Sequence, residues 1–264
     1  MLVDMVKALF YTCNSYPKVA APHRLSSSDD FEACILSSIM NAVELYDDVY
    51  RVVLEFKRGE RSIGKLEIGK IFAKSLNSCF RELKHKMSLE MCLTTPILLY
   101  IDILETEIEK DFYKALRRFI SIMQVQEIEE SLEFIKNARN IGGRLGVLLD
   151  RADISEHRIK VEGLTLYNVF EELSKYDQLY EPFIKIQKTI DVVRLAEKLY
   201  SELGDLNETL SRIFLELAKD KIAISSAKLV DILRIDMNYR RKGLNLQYLM
   251  PYISYASLYI VKHL

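Results

Sequence analysis

Apolar side chains return every three to four positions along most of the chain, the spacing of one face of an α-helix. Phe31, Ile35, Ile39, Ala42, Val43 and Tyr46 make one such stripe, behind a start signal in which Asp29 and Glu32 stand at capping-box spacing. Ile128, Leu132, Ile135 and Ala138 make a second, which Gly142-Gly143 ends. Val192, Leu195, Leu199 and Leu203 make a third, which stops at Gly204. Asp205 and Glu208 then cap a helix bearing Leu210, Ile213, Phe214 and Leu217. Counting such segments predicts helices near residues 2–13, 29–58, 65–83, 88–106, 109–123, 126–140, 165–178, 180–203, 206–219 and 224–263, the last broken near Gly243. Strand alternation is absent, and residues 147–164 read as the longest irregular stretch. No low-complexity linker divides the chain and no fixed period returns. The expected fold is therefore all-α, a single-domain bundle of about ten helices over residues 1–264.

Composition agrees. Nine glycines and five prolines in 264 residues are too few for a turn-rich β-sandwich or a glycine-rich nucleotide fold. Thirty-seven basic and 38 acidic side chains leave a net charge of −1, so no long-range field recruits nucleic acid or an anionic membrane. The N-terminal residues carry Asp4 and Lys7 and lack the features of a signal peptide. No uncharged apolar run is long enough for a membrane span. Cys13, Cys34, Cys79 and Cys92 form no metal-binding spacing. They read as reduced, buried thiols of a cytoplasmic protein.

Several motifs invite a functional reading. Gly59 to Lys65 has GxxxxGK spacing, but Leu66 follows where magnesium binding needs Ser or Thr, and a helix precedes it where a phosphate loop needs a strand. It reads as a polar connector. His85, His157 and His263 lack a nucleophile or acid partner in any local signature. Tyr248, Tyr252, Tyr255 and Tyr259 form a helical stripe, expected in the core or at a subunit contact of a homo-oligomer. The segment from Tyr16 to Arg24 places Lys18, His23 and Arg24 between two prolines in one inter-helix loop. A rigid basic loop beside a helix start can serve as an anion site, but taken alone it reads first as a stiff connector with solvated charges.

That loop resembles the proline-lysine-proline-glycine-asparagine-valine-histidine-arginine motif of the triphosphoribosyl-dephospho-CoA synthase family, in its archaeal form. Pro17, Lys18, His23 and Arg24 match, while Val19, Ala20 and Ala21 stand for proline, glycine and asparagine. Asp30-Phe31 and Ser37-Ser38 resemble the family's next helix. Lys86 to Met91 takes the place of its threonine-asparagine-threonine-asparagine-leucine-glycine motif, with Glu90 for the glycine. Asn140 to Gly146 resembles its asparagine-proline-glycine-glycine-leucine-glycine turn, with Arg144 extra. Thr165 to Phe183 resembles a helix ending in an aspartate, here Asp177. Gly204 to Glu208 is similar to a later turn, and Asp220 and Lys228 fall where the family has an aspartate and an arginine-lysine run. Lys242 to Asn245 looks like the start of the final motif, whose aspartate position becomes Pro251.

The resemblance implies an all-helical enzyme that joins the triphosphoribosyl group of ATP to 3′-dephospho-CoA and releases adenine, with Mg2+ on the triphosphate. It implies phosphate or nucleotide contacts from Lys18, His23, Arg24, Gly142, Gly143, Arg144 and Asn245, and metal contacts from Asp177 and Asp220. The small residues that would let backbone amides approach phosphate are largely gone, replaced by Ala20, Glu90, Gln247 and Lys228 or its neighbours. Two functions therefore stand open: a transferase acting on a nucleotide triphosphate, and a non-catalytic helical binding or assembly protein descended from such an enzyme.

Overall fold

The stretch from Leu89 to Leu104 carries only two charged side chains, Glu90 and Asp102, and is apolar on every face. A helix of that kind is stable only when surrounded. The computed structural model, which describes residues 1–26, 28–223 and 229–264, builds the protein around it. The helices are α1 (Leu2–Asn14), α2 (Ser28–Lys57), α3 (Ile68–Leu83), α4 (Leu89–Leu104), α5 (Phe112–Val125), α6 (Ile128–Ile141) and α7 (Gly143–Arg151). They continue with α8 (Glu156–Glu162), α9 (Leu166–Ser174), α10 (Glu181–Ile184), α11 (Ile186–Leu203), α12 (Leu206–Ala218), α13 (Leu229–Arg241) and α14 (Met250–His263). No strand occurs among the described residues, and none of the helices there is long and apolar enough to cross a membrane.

All sixteen residues of α4 are buried. It packs against α1, α2, α3, α5 and α14. The second buried helix is α14, enclosed from Met250 to Ile260 by α1, α4, α11 and α12. Buried apolar side chains form one continuous cluster from Met5 to Ile260. Each Leu or Ile enclosed this way contributes roughly 1.5–3 kcal/mol. Pro96 lies inside α4 and cannot donate to the carbonyl of Cys92 four residues earlier. The hydroxyl of Ser75, on α3, donates to that carbonyl instead at 2.5 Å, so a buried acceptor is not left unpaired.

The all-α expectation holds, with more helices than ten. Residues 147–164 are not irregular: they contain the second half of α7 and all of α8. The segment expected as one helix over 180–203 divides into α10 and α11, where Lys185 leaves helical geometry. The segment expected over 224–263 divides into α13 and α14 around Gly243, at φ +77°; its start at 224–228 lies outside the described residues. Gly142 and Gly204 end α6 and α11 as expected, and the Asp205 carboxylate accepts the Glu208 N–H. Asp29 falls inside the first turn of α2 rather than ahead of it.

Of the two places expected for the tyrosine stripe of α14, the core holds Tyr252, Tyr255 and Tyr259, which are buried within the chain. One expectation fails. The cysteines are not reduced thiols: Cys13 pairs with Cys34 and Cys79 with Cys92 as disulfides. Periodicity could not show this, since each pair joins two helices whose relative placement is tertiary. The argument for a cytoplasmic location from reduced thiols falls with it.

Where α3 crosses α6, only Gly69 fits: a Cβ there would lie 1.9 Å from the Glu130 carbonyl oxygen. The obstacle is backbone and cannot rotate away. Gly69→Ala is expected to lower the unfolding free energy by about 2–3 kcal/mol, from overpacking alone. An unchanged urea midpoint would show that the two helices do not approach this closely.

Candidate functional site

The α1–α2 loop keeps its basic residues but turns them inward. Lys18 is fully buried, and its ammonium group donates to the Thr12 carbonyl at 2.5 Å and the Cys13 carbonyl at 3.5 Å. It therefore caps the C-terminal end of α1, where a cation meets unpaired carbonyls. Burial pushes its pKa well below the usual lysine value. His23 is also fully buried. Its Nδ1 accepts the Leu25 N–H at 3.2 Å, so the ring proton sits on Nε2, which faces Asp236 Oδ2 at 3.4 Å. Arg24 is exposed and lies over the Tyr16 ring, 3.7 Å from its centroid.

Asp236, on α13, organises this loop. Its Oδ1 accepts the Ala20 N–H at 2.6 Å and Arg240 Nε at 2.8 Å. Arg240 continues to Asp30 on α2 at 2.6 Å. Burial alone would raise the Asp236 pKa; the hydrogen bonds from His23 and Ala20 and the charge of Arg240 bring it below the usual carboxylate value. Asn207 holds the backbone of Tyr16 from both sides, accepting its N–H at 2.9 Å and donating to its carbonyl at 3.0 Å. Ala20, which stands at the glycine position of the resembled motif, has φ +54°, a conformation that favours glycine.

A second centre forms where α6 turns into α7. Gly142 and Gly143 take φ +69° and +57°, which aims Arg144 across the start of α4. Arg144 Nη1 donates to Glu90 Oε1 at 2.8 Å. Its Nε and Nη2 form a fork on the two oxygens of Asp177 at 2.8 and 2.9 Å. Asp177 also accepts the Leu179 N–H at 3.0 Å. Glu90 is only 3% exposed, against 45% for Arg144. Glu90 and Arg144, neither of which belongs to the resembled motifs, thus meet, and the guanidinium neutralises the buried carboxylate.

Two adjoining clefts lie here, one with a mixed and one with a mainly polar lining. One, of ≈ 230 Å³, is lined by Gly142, Gly143, Arg144, Glu90, Lys84 and Gln247 among others. The other, of ≈ 310 Å³, is lined by Asp29, Asp30, Ala33 and residues 85–88, and shares His85, Met87 and Gln247 with the first. Lys86 reaches Asp29 at 3.4 Å, with both side chains largely exposed. So four segments distant in sequence converge: the start of α2, the turn before α4, the glycine turn before α7, and the approach to α14.

The remaining positions named from sequence are dispersed. Asn245 is exposed, and its carboxamide oxygen accepts the Gln247 N–H at 2.8 Å, a local turn. Asp220 is exposed in the turn after α12, and Lys228 lies outside the described residues. Asp177 is engaged by Arg144, so it does not join Asp220 as a metal pair. Among the described residues no group of three or more His, Cys, Asp or Glu could hold a metal ion. Asp177 and Asp220 belong to no such group. Gly59 to Lys65 is a connector after the end of α2, as expected, with the Gly64 carbonyl accepting the Glu127 N–H at 3.1 Å. Sequence reasoning missed Asp236, Arg240 and the Arg144–Glu90 pair. Asp236 and Arg240 do stand four residues apart on one helix face, a visible signal. Nothing local linked Arg144 to Glu90.

Comparison of the chain with protein-family models, curated proteins and solved structures finds no match to any of them.

Two stability measurements check this geometry. Ala20→Gly is expected to be neutral or to stabilise by up to about 1 kcal/mol, because it relieves a positive φ; a loss above that would place Ala20 in ordinary backbone geometry. Arg144→Ala is expected to cost about 2 kcal/mol by leaving Glu90 uncompensated, discounted for the exposure of Arg144. Adding Glu90→Gln to it should recover part of that loss, and strict additivity of the two would refute the pairing.

Proposed function

We propose that this protein is a non-catalytic binding or assembly module on a helical scaffold of the triphosphoribosyl-dephospho-CoA synthase type. The observation that carries the reading is the occupation of Arg144 by Glu90 and Asp177. A guanidinium poised for a triphosphate must offer its fork to phosphate oxygens. Here two internal carboxylates hold it, one of them bidentate, and any phosphate would have to displace them while leaving Glu90 buried. Two of the three basic residues of the resembled motif, Lys18 and His23, are fully buried and committed to Thr12 and Asp236, while Arg24 is exposed and lies over the Tyr16 ring. The carboxylates suggested for Mg2+ belong to no cluster of three or more metal-ligating side chains among the described residues. What this scaffold retains is two adjoining clefts with a mixed lining of Lys84, His85, Lys86, Asp29 and Asp30, suited to a polar ligand or a charged segment of another protein. A cytoplasmic location and a homo-oligomeric state remain part of this proposal; in a reducing compartment the disulfides would be sheltered by burial rather than by redox poise.

A second reading has its own support. Several of the segments resembling family motifs, among them Asp30, Lys86 to Glu90 and Gly142 to Arg144, line these clefts, and Ala20 adopts a glycine conformation where the family has glycine. On that reading ATP and dephospho-CoA are the substrates and the internal carboxylates are displaced on binding.

Calorimetry with Mg-ATP and with 3′-dephospho-CoA, followed by assay of the mixture for free adenine, separates the two. The expected result is no adenine release. Release of adenine in proportion to protein, lost in Arg144→Ala, would overturn the non-catalytic reading.

A further inference from the structure

Cys13–Cys34 and Cys79–Cys92 close loops of 21 and 13 residues. Those two loops contain nearly all of the wall of the ≈ 310 Å³ cleft. Asp29, Asp30 and Ala33 lie in the first, residues 85–88 lie in the second, and Gln247 alone among its lining residues lies in neither. Within the enclosed segments residues 18–23 and 88–92 are buried, whereas Arg24, Leu25 and residues 84–86 are exposed. Polar surface segments of this kind have little apolar burial to offset the entropy of ordering. A covalent closure supplies the order instead.

Both disulfides also abut one stretch of α2. Cys13 Sγ lies 3.6 Å from Ser38 Oγ, and Asn41 Nδ2 donates to Cys79 Sγ at 3.0 Å. Between them, the Ser88 N–H donates to Ser37 Oγ at 3.0 Å, fastening the second loop to the helix that the first loop leads into. We propose that the two disulfides form a redox clamp on this cleft, holding both walls when oxidised and releasing them when reduced. The inference stands whatever ligand the cleft takes. Each reduction transfers two electrons and two protons from a dithiol, which ends as its own disulfide, and leaves two cysteine thiols in the protein. The sulfurs are buried, at 0–2% exposure, so exchange proceeds through local opening of these segments. Release is graded. The first loop stays tied by Asp236, Arg240 and Asn207, whereas residues 84–88 of the second are held by the Ser37 hydroxyl and by the solvent-exposed Lys86–Asp29 pair.

Hydrogen–deuterium exchange on the full chain, before and after reduction by excess dithiothreitol, tests this. Exchange in peptides covering 84–88 is expected to rise about tenfold or more, with a smaller rise over 24–33, while α11 and α14 stay unchanged. The Cys79→Ser/Cys92→Ser double variant should release 84–88 alone without dithiol, a check that does not depend on complete reduction. No change in these peptides would overturn the clamp, and so would an equal rise throughout the chain. Alkylation of all four cysteines in denaturant without prior reduction would overturn it at the outset.

Discussion

A helix with no solvent face cannot tolerate an unpaired charge, and α4 carries two. Glu90 stands at its first turn and Asp102 near its last, and both are buried. Each ionised carboxylate in such a place is costly unless a cation meets it. Arg144 meets Glu90 from the turn before α7. Lys262, at the end of α14, meets Asp102 and also Glu105 at 2.7 Å, while His263 pairs with Glu105 at 2.7 Å. Burial still pushes the Asp102 carboxyl above its ordinary range, which shows how little solvent reaches it. Two distant pieces of chain are thus drawn to the two ends of one central helix by the same electrostatic requirement.

That requirement shapes the candidate site. At the Glu90 end, the cation of the glycine turn is drawn toward the protein's own carboxylates instead of being left for a ligand. The basic loop between α1 and α2 follows the same logic: Lys18 closes the end of α1 and His23 faces Asp236. Cations that look available in the sequence are intramolecular partners in the fold. Charge is retained around the clefts mainly on exposed side chains, Lys84 and Lys86 among them, and the Lys86–Asp29 pair is screened and weak.

The all-α class, most helix positions and the stops at Gly142 and Gly204 were legible in the sequence. Helical periodicity, caps and positive-φ glycines act within a few residues, and so they are written locally. α7 and α8 were hidden because nine- and seven-residue helices hold too few apolar repeats to stand out from a loop. The division of 180–203 depends on a single backbone angle at Lys185, for which no glycine or proline gives notice.

What the tertiary structure alone decided are the pairings across distance. Arg144 with Glu90, His23 with Asp236, Lys262 with Asp102, and cysteine with cysteine each join segments that no local pattern relates. The sequence determined which helices form and which faces are apolar, because those follow from neighbours three and four residues apart. Which charge neutralises which, and hence whether a cation is left for a ligand, depends on how the helices pack. That outcome follows from burying α4, whose two carboxylates need partners wherever the chain can bring them.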